Sequence, residues 1–131
     1  MVSRVAKPAC RWIGVLFLVI ALAGWMDTPL VGKRGVIAAD EALSIGHACV
    51  GAFLLVMSFG GESVCAFALY ATGFACIGFG AYVLYGMGSY DSIRMGPSML
   101  SRSGEYLHVA LGAVMPVFGK MNTARQQLFR E

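Results

Sequence analysis

His47 and His108 are the only histidines in the chain, and they stand in matching surroundings. Residues 44–52 read Ser-Ile-Gly-His-Ala-Cys-Val-Gly-Ala and residues 105–113 read Glu-Tyr-Leu-His-Val-Ala-Leu-Gly-Ala, so both share His-x-x-x-Gly-Ala. A neutral imidazole is an axial ligand for haem iron or for the magnesium of a chlorin, and equally a hydrogen-bonding group that settles on a carbonyl, a carboxylate or interfacial water. The second role is the simpler expectation. The first makes His47 and His108 the candidate cofactor residues, with haem or a chlorophyll-type pigment as the cofactor. Asp27, Asp40, Glu41, Asp91 and Glu105 all fall near the same edges of the apolar runs as the histidines and offer the oxygens a metal site would need. Their spacing matches no pairing of nucleophile and base, so an enzyme is not expected.

Elements that would carry such residues are marked by where charge stops and resumes. Hydrophobic residues make up 58% of the 131-residue chain and charged residues 13%, against roughly half and a quarter in soluble domains. Mean hydropathy is +0.72. Four apolar segments follow, at 12–26, 42–61, 64–90 and 106–119, which predict an all-α integral membrane four-helix bundle in one domain over 1–131. The first is short at about 22 Å against a hydrocarbon core of roughly 30 Å, and is expected to recruit neighbouring residues. Trp12 and Trp25 bracket it as interfacial indoles do. Gly60-Gly61-Glu62-Ser63 predicts a tight turn between the second and third segments. Pro116 is expected to kink the fourth, and residues 122–131 read as a polar amphipathic tail.

Charge sets the expected orientation. With four spans, the N-terminus, the Gly60 turn and the C-terminus share one side and carry six Lys/Arg, while the loops at 27–41 and 91–105 carry Lys33, Arg34, Arg94 and Arg102. That bias predicts both ends in the cytoplasm. The net charge of +3 comes from flanking clusters that suit anionic lipid, and no basic stripe interleaves with stacking aromatics, so nucleic acid is not an expected partner. A competing architecture keeps two spans and lays the ends on the membrane surface. The N-terminal run also resembles a signal peptide with small residues at Ala21, Ala23 and Gly24; an uncleaved first helix is the expectation. Cys10, Cys49, Cys65 and Cys76 lack any C-x-x-C spacing and read as packing residues.

Comparing the chain with itself gives the arrangement. Helix, loop and His-helix occur twice, with Gly14 and Gly73 opening similar stretches. Two spans return the chain to its starting side, so the halves are parallel-related about an axis along the membrane normal. Gly51 and Gly112, four residues after each histidine, share its face and admit a neighbouring backbone; Gly73, Gly78 and Gly80 are expected to pack in the same way. On Gly14, Gly24, His47, Gly51, Gly73, His108 and Gly112 the region 12–119 resembles small bacterial four-helix membrane proteins of uncharacterised function built from two such halves. The resemblance implies a topology and no activity. Little polar chemistry and abundant helix-packing residues point to an accessory or scaffold subunit of a larger membrane complex, photosynthetic or respiratory, in the bacterial inner membrane. The alternatives are a small protein that binds haem or a chlorin through His47 and His108, and a homo-oligomer.

Overall fold

In a computed structural model, which describes residues 5–33 and 35–128 with side chains to residue 121, the chain forms four helices joined by two ribbon-bearing loops and one tight turn. The order is α1 (Ala6–Trp25), β1 (Val31–Gly32), β2 (Ile37–Ala38), α2 (Glu41–Met57), α3 (Glu62–Met87), β3 (Ser92–Met95), β4 (Ser98–Ser101) and α4 (Arg102–Leu128). The first apolar segment gains a turn and a half at its N-terminal side, giving 20 residues and about 30 Å. The second is shorter than its composition suggests. Ser58 ends α2, with its hydroxyl donating back to Leu55 O and its N–H to Leu54 O, so residues 58–61 belong to the turn. Pro116 lies inside α4 and its ring rests on Gly73. The expected tail at 122–131 falls outside the described side chains.

All-α describes the core, and the loops add what apolar patterning does not signal. β1 and β2 make a two-residue parallel bridge, and β3 and β4 an antiparallel hairpin turning at Gly96, whose φ of 59° suits a residue without Cβ. Arg102 closes the second loop: its Nη2 donates to Gly88 O at 2.8 Å and Tyr90 O at 2.7 Å. A cation there meets the carbonyl end of α3, where the helix dipole is negative.

The helices form two antiparallel pairs. Gly24 meets Ser44, Gly14 meets Gly51, and the Cys10 thiol donates to Leu54 O, so α2 runs back along all of α1. Gly80 meets Val109, Gly73 meets Gly112, and Gly119 meets Tyr70, so α4 runs back along α3. Both long loops therefore sit at one end of the bundle, and the α2–α3 turn sits at the other. The core between the pairs is built from Ala6, Cys10, Phe17, Leu54, Cys65, Ala68, Leu69 and Met115.

The outside of the bundle is apolar as well. Trp12 is 74% exposed and Tyr85 91%, with Val15, Val19, Leu22, Val56, Phe67, Phe74, Tyr82 and Val117 also exposed. Two helices, α1 and α3, are long and apolar enough to cross a membrane; α2 is apolar but has 17 residues. On length and composition the expected four spans thus reduce to two among the described residues.

Candidate functional site

The repeat is written most clearly in the caps of α2 and α4. Asp40 caps α2, accepting from Leu43 N at 3.0 Å, and Ser101, 61 positions later, accepts from Gly104 N at 3.2 Å. Each cap also reaches into the other loop. Asp40 Oδ2 accepts from Met99 N at 2.9 Å, and Ser101 Oγ accepts from Ala38 N at 3.1 Å. Met99 and Ala38 each lie two residues before the opposite cap, so the bonds cross as a pseudo-twofold axis requires. In each half one side chain, through both carboxylate oxygens of Asp40 or the single hydroxyl of Ser101, satisfies an orphan helix N–H and also fixes the two loops to each other.

One turn further along, the same 61-residue register brings Ser44 opposite Glu105, and then His47 opposite His108. The imidazoles stack on one another, with ring centroids 5.3 Å apart and planes 29° apart. His47 also stacks on Phe17 at 5.7 Å, and His108 meets the edge of Phe79 at 5.6 Å. A row of four rings, Phe17, His47, His108 and Phe79, thus joins all four helices. A single haem held axially by both histidines would need their nitrogens to point at each other across the macrocycle, and here the faces oppose.

What holds each ring differs between the halves. His47 Nδ1 lies 2.7 Å from Leu43 O, a carbonyl one turn back that can only accept, so the proton sits on Nδ1 and the neutral ring keeps its lone pair on Nε2. His108 Nδ1 lies 3.3 Å from Glu105 Oε2, a side chain in the bundle interior at 1% exposure. The alignment falls short of a hydrogen bond, and among the described residues neither atom has another partner. Beside them is a void of about 20 Å³ lined by Glu105, His47, His108, Ile37, Ala38 and Gly104, room enough for one water molecule.

On the other side of the ring row a much larger groove opens between α2 and α3, with a volume of about 490 Å³. Leu43, Gly46, His47, Val50 and Phe53 form one wall and Ala71, Thr72, Ala75, Cys76 and Phe79 the other, with Phe17 and His108 at the floor. The volume falls within the few hundred to a thousand Å³ usual for small-molecule sites, and so does the chemistry of an apolar lining with few polar groups.

The remaining candidates sort by position. A methyl on Gly51 would lie 2.8 Å from Gly14 O, and one on Gly112 would lie 2.6 Å from Gly73 O; Gly80 is closed by Val109 and the Glu105 carbonyl. Gly78 is the exception. Nothing lies within 4 Å of a Cβ there, because the inward face of α3 runs through Gly73, Cys76, Gly80 and Val83, and Gly78 falls on the opposite face. Of the acidic residues near the histidines only Glu105 reaches them: Asp27 accepts from Lys33 N at 2.6 Å, Asp40 is the cap, Asp91 lies 3.7 Å from Arg102, and Glu41 is exposed. No group of three His, Cys, Asp or Glu side chains able to hold a metal ion occurs among the described residues. The four cysteines are free thiols. The groove went unread in the sequence, and Glu105 was read there as one of five acids near the histidines, although an acid three residues before a histidine on a helix is a local signal for the closer contact. No family model matches this chain, and neither curated proteins nor solved structures give a match.

Proposed function

We propose that this chain is a non-enzymatic membrane protein of four spans that binds a lipophilic small molecule in the groove between α2 and α3, against the His47–His108 pair. The observation that carries the reading is the groove: an apolar, ligand-sized recess on the outside of an apolar bundle, with two stacked imidazoles in its lining. A ring whose Nδ1 is engaged by a carbonyl presents a lone pair at Nε2, the arrangement that histidines use to hold a metal centre or accept a hydrogen bond. Either Nε2 alone is the geometry by which a haem or chlorin would be held.

The antiparallel pairing supports four spans. If α1 and α3 cross the bilayer, α2 and α4, which run back along them from the loop end to the turn end, cross it too; 17 residues reach about 26 Å, at the short limit for a span. Retention of α1 is favoured by its share of the core, since cleavage after it would remove Phe17, Cys10 and the Gly14 contact. By sequence, six Lys/Arg belong to the two terminal segments and none to the Gly60 turn, against four in the two long loops, where Arg102 is engaged by carbonyls, which favours both ends in the cytoplasm of a bacterial cell. Cysteines placed at Gly61 and at Pro97, in a variant free of the native four, test the orientation: the second reacts from outside the cell and the first does not. The reverse pattern refutes it.

Binding is tested by native mass spectrometry of the protein in mild detergent, with an absorption spectrum. A bound mass that disappears when Ala75→Trp fills the groove supports the reading; a mass retained in that variant sinks it. A second reading, an accessory subunit of a larger respiratory or photosynthetic complex, is favoured by the outward face of α3, where Phe67, Phe74, Tyr82 and Tyr85 are exposed beside the unpacked Gly78. Loss of defined co-purifying subunits on Gly78→Leu, with the bundle intact, would support it.

A further inference from the structure

We propose that the α2–α3 groove takes a lipophilic aromatic alcohol, of the phenol or hydroquinone class, whose hydroxyl donates a hydrogen bond to Nε2 of His47. This rests on the groove being a binding site and assigns the chemistry of its occupant. The tautomer is the starting point. With Nδ1–H committed to Leu43 O, the neutral ring has one polar atom left, and that atom is an acceptor. Stacking against Phe17 and His108 occupies the ring faces, so the ring meets the groove by its edge.

His47 lines the groove among Phe17, Val50, Phe53, Ala75 and Phe79, and an acceptor turned toward such a lining is costly to leave unmatched, so the groove would select a donor over an ether, an ester or a bare hydrocarbon. An O–H is the donor that a membrane-soluble molecule most readily carries. Three phenylalanines around the recess favour a flat ring, which packs against them face or edge. Thr72, 7% exposed, brings a hydroxyl to the opposite wall on α3, so the site has one polar anchor on each side of the groove. Two such anchors suit a small ring bearing oxygens on opposite edges. The groove opens between two helices whose outer surfaces are apolar, which leaves an alkyl or isoprenoid tail free to lie in lipid beyond Phe53.

A metallated tetrapyrrole would compete for the same lone pair. It would use one histidine and leave Thr72 without a role.

The test compares decyl-hydroquinone with its di-O-methyl ether, which has the same ring and tail and no O–H. Binding is measured anaerobically by titration calorimetry on the full chain in phosphatidylcholine nanodiscs. The hydroquinone is expected to bind about tenfold tighter than the ether, the effect of one net hydrogen bond. His47→Phe removes the difference and His47→Gln, whose Oε1 accepts, keeps part of it. Ala75→Trp abolishes binding of both. Equal affinities of the two probes in the wild-type protein, still lost in Ala75→Trp, overturn the ligand class and leave the groove as a binding site. Absence of saturable binding by either probe, or binding indifferent to Ala75→Trp, overturns both. A Soret band in the purified protein that vanishes in His47→Phe also overturns the class and assigns the site to a tetrapyrrole. The probe comparison is made on the wild-type chain, so it stands even if a variant fails to fold.

Discussion

Gly112→Ala tests the physical basis of the bundle most sharply. A methyl at that position would lie 2.6 Å from Gly73 O, 2.8 Å from Ile77 Cγ1 and 2.9 Å from Ile77 N. Carbon and carbonyl oxygen in close-packed helices meet at roughly 3.3–3.6 Å, so α3 and α4 must part by more than half an ångström along a contact that is backbone on both sides. A gap of that size forfeits a quarter or more of each dispersion contact in the seam, and overpacking of this kind costs about 1–3 kcal/mol. Gly51→Ala, 2.8 Å from Gly14 O, should cost nearly as much by the same route in the other pair, whereas Gly46→Ala and Gly78→Ala meet nothing within 4 Å. Those two remove a helix-interior glycine and should stabilise by up to about 1 kcal/mol. The assay is unfolding by SDS in mixed micelles, followed by circular dichroism, for all four variants in one series. If Gly112→Ala unfolds with Gly46→Ala rather than well below wild type, close backbone approach is not what holds α3 to α4. Parting those helices also draws His108 away from His47, so the same variant should weaken ligand binding in the groove even where the protein stays folded.

The remaining predictions address the caps, the buried acid and the loop clasp. Asp40→Ala and Ser101→Ala should each cost about 1 kcal/mol as lost caps, and because each cap holds the other's loop, the double variant should depart from additivity in a double-mutant cycle. Glu105→Leu, which removes a buried carboxyl lacking a well-made hydrogen bond, should unfold at or above the wild-type SDS concentration; a large loss would show that Glu105 has a partner strong enough to repay its burial. Arg102→Ala frees the carbonyls of Gly88 and Tyr90 and should make the loop at 88–101 several-fold more sensitive to limited proteolysis, with Arg102→Lys restoring only part because one ammonium replaces a planar fork.

The sequence by itself determined that the chain is helical and apolar, that it is built twice over, and that one histidine in each half is followed by a small residue on the same face. Those features are periodic, and period is what a one-dimensional string preserves. Spacing from the histidines fixes the face that Gly51 and Gly112 occupy, whereas Gly73 and Gly80, on a helix without histidine, are set against neighbouring backbone by the packing of α3 on α4. Gly78 shows the limit: two residues from Gly80, it lies on the other side of the helix, and only the packing of α3 reveals which side is inside. The tertiary structure alone decided the rest. The alignment sets Glu105 against Ser44, but that this acid is buried while Glu41 stays exposed at the first turn of α2 is a matter of packing. The stacking of His47 on His108 across the pseudo-twofold axis, the crossing of the two caps, and the groove between α2 and α3 all join residues from different halves of the chain. Contacts of that kind depend on how two helix pairs dock, and docking is set by the sum of many small side-chain fits that no local pattern encodes.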